Sequence, residues 1–201
     1  MIKCIIFDIG GVVMNDTLPH LNKVAAEYYG VSIDKLKDVA IKNRGRMCLF
    51  EWNEDELWKG VSKDLGSSRP IKRFWEEVYE EIASIIPEII EIIRKLKTNG
   101  YTLAILSNTM SHHVRINRER GAYNLFDIIV LSCDKDVNLR KPDIKIYELC
   151  LKRIGIPAEE CVFIDDLKEN LPPAEQLGIS TILFKSPGQL EEDLKKLGVN
   201  L

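Results

Sequence analysis

Five short apolar runs punctuate this 201-residue chain: IKCIIFD (2–8), YTLAILSN (101–108), DIIVLS (127–132), CVFIDD (161–166) and STILFK (180–185). Each is apolar almost without a break and rich in β-branched residues. A strand with one wet face alternates apolar and polar positions. Continuous runs therefore point to strands covered on both faces, as in a parallel sheet. Helical patterns lie between the runs. PEIIEIIRKLKTNG (87–100) repeats apolar residues at i, i+3 and i+4 and stops at Asn-Gly. PDIKIYELCLKRIG (142–155) opens with Pro-Asp and closes at Gly155, and NLPPAEQLG (170–178) opens with Asn and prolines and closes at Gly178. Alternating strand and helix predicts a doubly wound α/β sheet with right-handed crossovers.

About ninety residues without a strand signal separate the first two runs. LPHLNKVAAEYYG, SIDKLKDVAIKNR, NEDELWKGVSKDLG and IKRFWEEVYEEIASII all carry helical amphipathicity. That is too long for a loop. It predicts an α/β core of residues 1–15 and 85–201 with a helical cap, 16–84, inserted beside the tip of the first strand. Trp58, Phe74 and Trp75 fall on the apolar helix faces and are expected in the cap's core.

Composition narrows the function classes. A formal net charge of −3 gives no electrostatic footing for nucleic acid or an anionic membrane. No apolar run approaches the roughly 20 residues of a spanning helix, and MIKCIIFD lacks the order of a secretion signal. Cys4, Cys48, Cys133, Cys150 and Cys161 form no C-x-x-C pair, which suits reduced cysteines in a cytoplasmic protein. The sequence leaves monomer and small homo-oligomer open.

In an open α/β sheet, ligands bind at the carboxyl ends of the strands. There the runs end in Asp8, in Ser107-Asn108-Thr109 and in Asp165-Asp166, with Lys141 in the LRKPD loop. Gathered carboxylates repel, and a hard divalent cation such as Mg2+ is their natural partner. A carboxylate can also attack phosphorus. Phosphoryl transfer then needs positive charge and donors around the moving oxygens. Lys141, Ser107 and backbone N–H groups after Asp8 and Ser107 would supply them, and Gly10 and Gly11 would let the backbone curl close to a phosphate.

These stations, FDIGGVV, LSNT, RKPD and FIDD followed by Asn170, resemble the four motifs of the haloacid dehalogenase-like hydrolase superfamily, with 16–84 similar to its helical type 1 cap. The resemblance implies a Mg2+-dependent phosphohydrolase of a small phosphorylated metabolite, a sugar phosphate being one candidate, that works through an aspartyl-phosphate. It makes Asp8 the nucleophile and a metal ligand. The Gly10 carbonyl and Asp166 become metal ligands, with Asp165 a direct or water-mediated third. Gly10, Gly11, Ser107 and Asn108 hold the phosphoryl group, and Lys141 bridges it to Asp8. Phosphatases of the family usually carry D-x-D in the first motif; here the second aspartate is Gly10, so the usual proton donor to the leaving oxygen is missing. A metal-independent 2-haloacid dehalogenase also lacks it, but does not keep the paired acids of the fourth motif. A phospho-ligand-binding protein of low turnover is the third reading.

Several residues have two readings. Asn170 is either a helix N-cap or a partner of the metal acids. His20 could replace the missing acid or sit at the surface. His112 and His113 are expected to be exposed on a helix, and Arg44, Arg46 and Trp52 are candidates to face substrate from the cap.

Overall fold

The computed structural model of the chain describes residues 1–43, 48–50 and 53–201. Arg44, Arg46 and Trp52 lie outside the described residues. The described residues form a five-stranded, all-parallel sheet of β1 (Cys4–Phe7), β2 (Thr102–Ser107), β3 (Ile128–Leu131), β4 (Cys161–Asp165) and β5 (Ser180–Leu183), ordered β3-β2-β1-β4-β5. Every strand expected from the sequence is present. β1 is central, and the order reverses around it, so its tip opens on the crevice where such sheets bind ligands.

Both sheet faces are covered, as the continuous apolar runs require. Alternate residues serve opposite faces. Ile5, Phe7, Leu103, Ile105, Val162 and Ile164 pack on one side against α5 (Pro87–Thr98) and α9 (Pro187–Lys196). Cys4, Ile6, Ala104, Leu106, Cys161 and Phe163 pack on the other against α7 (Ile144–Ile154) and α8 (Leu171–Gln176). The described cysteines are free thiols.

The insert between β1 and β2 folds as α1 (Leu18–Tyr29), α2 (Ile33–Asn43), α3 (Glu54–Asp64) and α4 (Phe74–Ile82), with its own apolar centre of Leu21, Ala25, Leu36, Trp58, Val61 and Phe74. Glu54 of α3 joins the last helix to it. Its carboxylate accepts from the backbone N–H groups of Trp75 (2.6 Å) and Glu76 (3.2 Å), satisfying the start of α4 that Arg73 leaves uncapped. The chain leaves and re-enters the sheet region side by side: Asn15 N–H donates to Ser84 O, Ile86 N–H to Val13 O, and Ser84 N–H to Asn15 Oδ1. α4 is then tied to α6 (Ser111–Glu119) through Tyr79 Oη, which donates to Asn117 Oδ1 at 2.7 Å, and through the Arg120 guanidinium, which donates to the carbonyls of Glu80 and Ala83. No helix among the described residues is long and apolar enough to cross a membrane.

Candidate active site

The three central strands deliver the predicted residues to one edge. Asp8 follows β1 and stays in the ladder, its N–H donating to Ile164 O at 2.9 Å. Ser107 ends β2 and Asp165 ends β4. Asp8, Gly10, Ser107, Asn108, Lys141 and Asp166 all line one cavity of about 210 Å3. A larger cavity, about 400 Å3, opens between the starts of α4 and α6 beside Arg73, Glu76 and His112. The strand tips and their charges converge on the smaller one.

Lys141 is almost wholly buried. Its Nζ lies 2.6 Å from Asp165 Oδ2 and 2.8 Å from Asp8 Oδ1. The first contact is a hydrogen bond. The second is an ion pair without hydrogen-bond alignment, so buried Asp8 Oδ1 has no hydrogen-bond partner. Burial alone would lower the lysine pKa, but the Asp8 and Asp165 charges outweigh it and hold the ammonium above its ordinary value. Asn108 fixes the lysine's backbone from both sides, accepting from Lys141 N–H at 2.8 Å and donating to Lys141 O at 2.9 Å.

Asp165 is saturated with donors. Besides Lys141 it accepts from Leu167 N–H (2.8 Å) and from Asn170 Nδ2 (3.0 Å to each oxygen). Asn170 makes no side-chain cap to α8, so of its two sequence readings it is the partner of the acid. Tyr147 Oη in turn donates to Asn170 O at 2.7 Å. At the β2 tip, Ser132 Oγ accepts from Thr109 N–H at 3.0 Å and pins the turn that carries Ser107.

Asp8, Asp165 and Asp166 each offer a carboxylate oxygen, all within 4.8 Å of one another. Three carboxylates around the single ammonium found there among the described residues leave an excess of negative charge. Burial raises the Asp8 pKa above the usual carboxylate range; the Lys141 ammonium opposes this and the Asp165 charge adds to it. Burial, followed by the charges of Asp8 and Asp165, pushes Asp166 up to about 7. Such a set fits a divalent cation: hard oxygen donors and uncompensated charge. Gly11 belongs to the same fit. Its φ is +79°, and a Cβ there would collide with the Asp166 carboxylate.

Several expectations change. Gly11 N–H donates to Met14 O, because the backbone turns back on itself after Ile9. His113 is buried rather than exposed, because α6 packs its first turn on α4; the ring stacks on Tyr79, with centroids 3.5 Å apart, and faces Trp75. His112 is half-buried by the same contact. Trp75 is half-buried and lines the Asp8 cavity, whereas Trp58 and Phe74 are in the cap core as expected. His20 is exposed on α1 and is absent from the described cavity lining, which leaves its surface reading. Tyr79, Ser132 and the buried position of His113 were missed. The helical period held a signal for His113, since Met110, His113, Val114 and Asn117 share one face.

A family model described as haloacid dehalogenase-like hydrolase matches residues 2–178. Among curated proteins, the chain is 30% identical over 149 residues to acyl-CoA dehydrogenase family member 10 of Mus musculus, covering 71% of this chain and 13% of that protein. Glyceraldehyde 3-phosphate phosphatase of Methanocaldococcus jannaschii is 29% identical over 99 residues, 48% of this chain and 42% of that one. (S)-2-haloacid dehalogenase 4A of Burkholderia cepacia is 30% identical over 114 residues, 57% of this chain and 48% of that one. The chain thus spans less than half the length of each of these relatives. Among solved structures, a HAD family enzyme of Bacteroides thetaiotaomicron superposes with a TM-score of 0.73 at 22% identity, covering 99% of both chains. The same enzyme in complex with magnesium and inorganic phosphate gives 0.63 at 21% identity, covering 92% of this chain and 95% of that one.

Proposed function

The chain belongs to the haloacid dehalogenase-like hydrolase family, and from that premise we propose that it is a Mg2+-dependent phosphohydrolase acting on a small phosphorylated metabolite. The observation that carries this reading is the cluster of Asp8, Asp165 and Asp166 around one buried ammonium. A dehalogenase of this family has no use for paired acids at the β4 tip. The magnesium-and-phosphate complex of the Bacteroides enzyme adds support from a shared fold.

In this reading Asp8 attacks phosphorus in line and the ester oxygen departs. Water then opens the aspartyl-phosphate and restores the carboxylate. Lys141 stands against Asp8, where its charge meets both the nucleophile and the phosphoryl oxygens. Ser107 and the backbone N–H of Asn108 supply further donors, while the Asn108 side chain acts through Lys141. Asp8, Asp166 and the Gly10 carbonyl would hold Mg2+, which when bound neutralises phosphoryl charge. Asp165, with its oxygens engaged by donors, positions Lys141. Residues 16–84 act as the cap that closes over the site and excludes bulk water.

The test is phosphate release from a panel of phosphate monoesters, with Mg2+ or with EDTA. Release that needs Mg2+ supports the reading. Chloride release from a 2-haloacid unaffected by EDTA would replace it with the dehalogenase, and no release of either kind would replace it with a binding role.

A further inference from the structure

His113 stands out among the groups that the proposed chemistry does not use. It is 7% exposed, it lines the Asp8 cavity, and its buried Nε2 has no hydrogen-bond partner. A buried polar atom left unpaired is costly and calls for an explanation. The ring is well fixed. It stacks on Tyr79 at 3.5 Å between centroids with 19° between planes, and Trp75 lies 5.9 Å away at 29°. Tyr79 is itself fixed by its bond to Asn117. Tyr79, Trp75 and His113 therefore make an aromatic wall on the cap side of a cavity whose other side carries Asp8, Lys141 and Ser107.

The cavity, about 210 Å3 and open to solvent at its mouth, suits a phosphoryl group with a short leaving group better than a drug-sized ligand. Gly10 leaves further open space in the lining, with no atom within 4 Å of where a Cβ would stand.

Resting on the phosphohydrolase reading, we infer that His113 determines specificity: its Nε2 hydrogen-bonds a hydroxyl on the leaving group, so that the substrate is a small hydroxylated alkyl phosphate monoester. Burial holds the imidazole pKa well below its ordinary value, with the His112 charge adding to this and the Trp75 backbone opposing it. A neutral ring suits a neutral hydroxyl partner. A site built to bond a hydroxyl rejects the analogue that lacks it, because its own polar atom is then left unpaired.

The test compares glycerol 1-phosphate with propyl phosphate, which differ only in hydroxyl groups, on wild type, His113→Phe and His113→Gln with Mg2+ present. His113→Phe keeps an aromatic ring against Tyr79 and removes the nitrogens; His113→Gln restores a polar group on a flexible stem. Wild type should favour glycerol 1-phosphate in kcat/KM by roughly tenfold to a hundredfold. His113→Phe should lose that preference, falling on glycerol 1-phosphate while propyl phosphate changes less than about threefold, and His113→Gln should recover part of it. Equal wild-type rates on the two esters, or equal losses in His113→Phe, would overturn the inference while leaving the phosphohydrolase intact. If neither ester nor any other monoester released phosphate, the phosphohydrolase reading would fail, and this inference with it. Should His113→Phe not fold by circular dichroism, wild type and His113→Gln decide the matter by the same ratio.

Discussion

Asn108 and Lys141 hold each other by a reciprocal pair of hydrogen bonds, 2.8 and 2.9 Å, between one side-chain amide and one residue's backbone N–H and C=O. The ammonium reaches Asp8 and Asp165 from that anchored backbone. Asn108→Ala leaves two backbone groups short of partners, each costing about 1–3 kcal/mol where water cannot replace the bond. Urea unfolding should show a loss of about 2 kcal/mol. Phosphate-release kinetics should show kcat down by at least about tenfold, because the lysine charge is displaced where charge develops in the transition state. Unchanged kcat would mean that the clamp is dispensable.

Gly11 and Asp166 cannot both keep their places if residue 11 acquires a side chain. Gly11→Ala introduces a left-handed alanine, worth about 1–2 kcal/mol of strain, and drives its methyl toward the Asp166 carboxylate. The Mg2+ concentration giving half-maximal activity should rise by roughly tenfold or more, the equivalent of about 1.4 kcal/mol of lost binding. Isothermal titration with Mg2+ reads the same quantity without turnover. Gly10→Ala is the control, since open space surrounds that position.

Gly10→Asp should be accepted by the fold for the same reason. Its carboxyl group would stand where a proton donor serves other phosphatases of the family. A positioned acid or base contributes roughly 10²- to 10⁴-fold, and only a poor leaving group needs it. Alkyl phosphates should gain at least about tenfold more than p-nitrophenyl phosphate. An equal gain on both classes would remove the leaving-group explanation.

Glu54 links stability to pH. Burial pushes its carboxyl up to about 7, against the pull of the Trp58, Trp75 and Glu76 donors. A raised carboxyl binds its proton more tightly folded than unfolded. Its contribution is therefore whole below the unfolded value near 4.5 and declines as pH rises towards about 7. The decline is at most about 3 kcal/mol. Chemical unfolding at pH 5 and pH 8 should show wild type losing more stability than Glu54→Gln. Parallel losses would show that other groups govern the trend.

Nucleophile removal is the plainest check. Asp8→Asn keeps the side chain's shape but cannot form the acyl-phosphate, so phosphate release should fall by at least about 10³-fold. Retained activity would place the nucleophile elsewhere.

The sheet was legible because strands covered on both faces must be apolar throughout, and Ile5, Ile105 and Ile164 record that directly. The strand-tip acids were legible because charge at the end of such a run has few structural uses. Helix limits followed from Gly155 and from the Asn99-Gly100 stop. What the sequence hid was set by contacts between distant elements. Glu54 reads as an ordinary first-turn acid of its own helix, yet it completes the start of another one twenty residues on. His113 reads as polar and therefore wet, and only the arrival of Tyr79 from the insert buries it. Asn108 reads as a phosphate ligand, and nothing in its own stretch shows that its side-chain amide also clamps the backbone of Lys141, thirty-three residues later.

The paired backbone at Val13–Asn15 and Ser84–Ile86 has a consequence for how this molecule could change. Both ends of the helical excursion meet within one hydrogen bond of each other, so a recombination event could graft in a foreign bundle without disturbing strand order or the reacting carboxylates. Selectivity and reactivity then become exchangeable parts, inherited and altered on separate schedules.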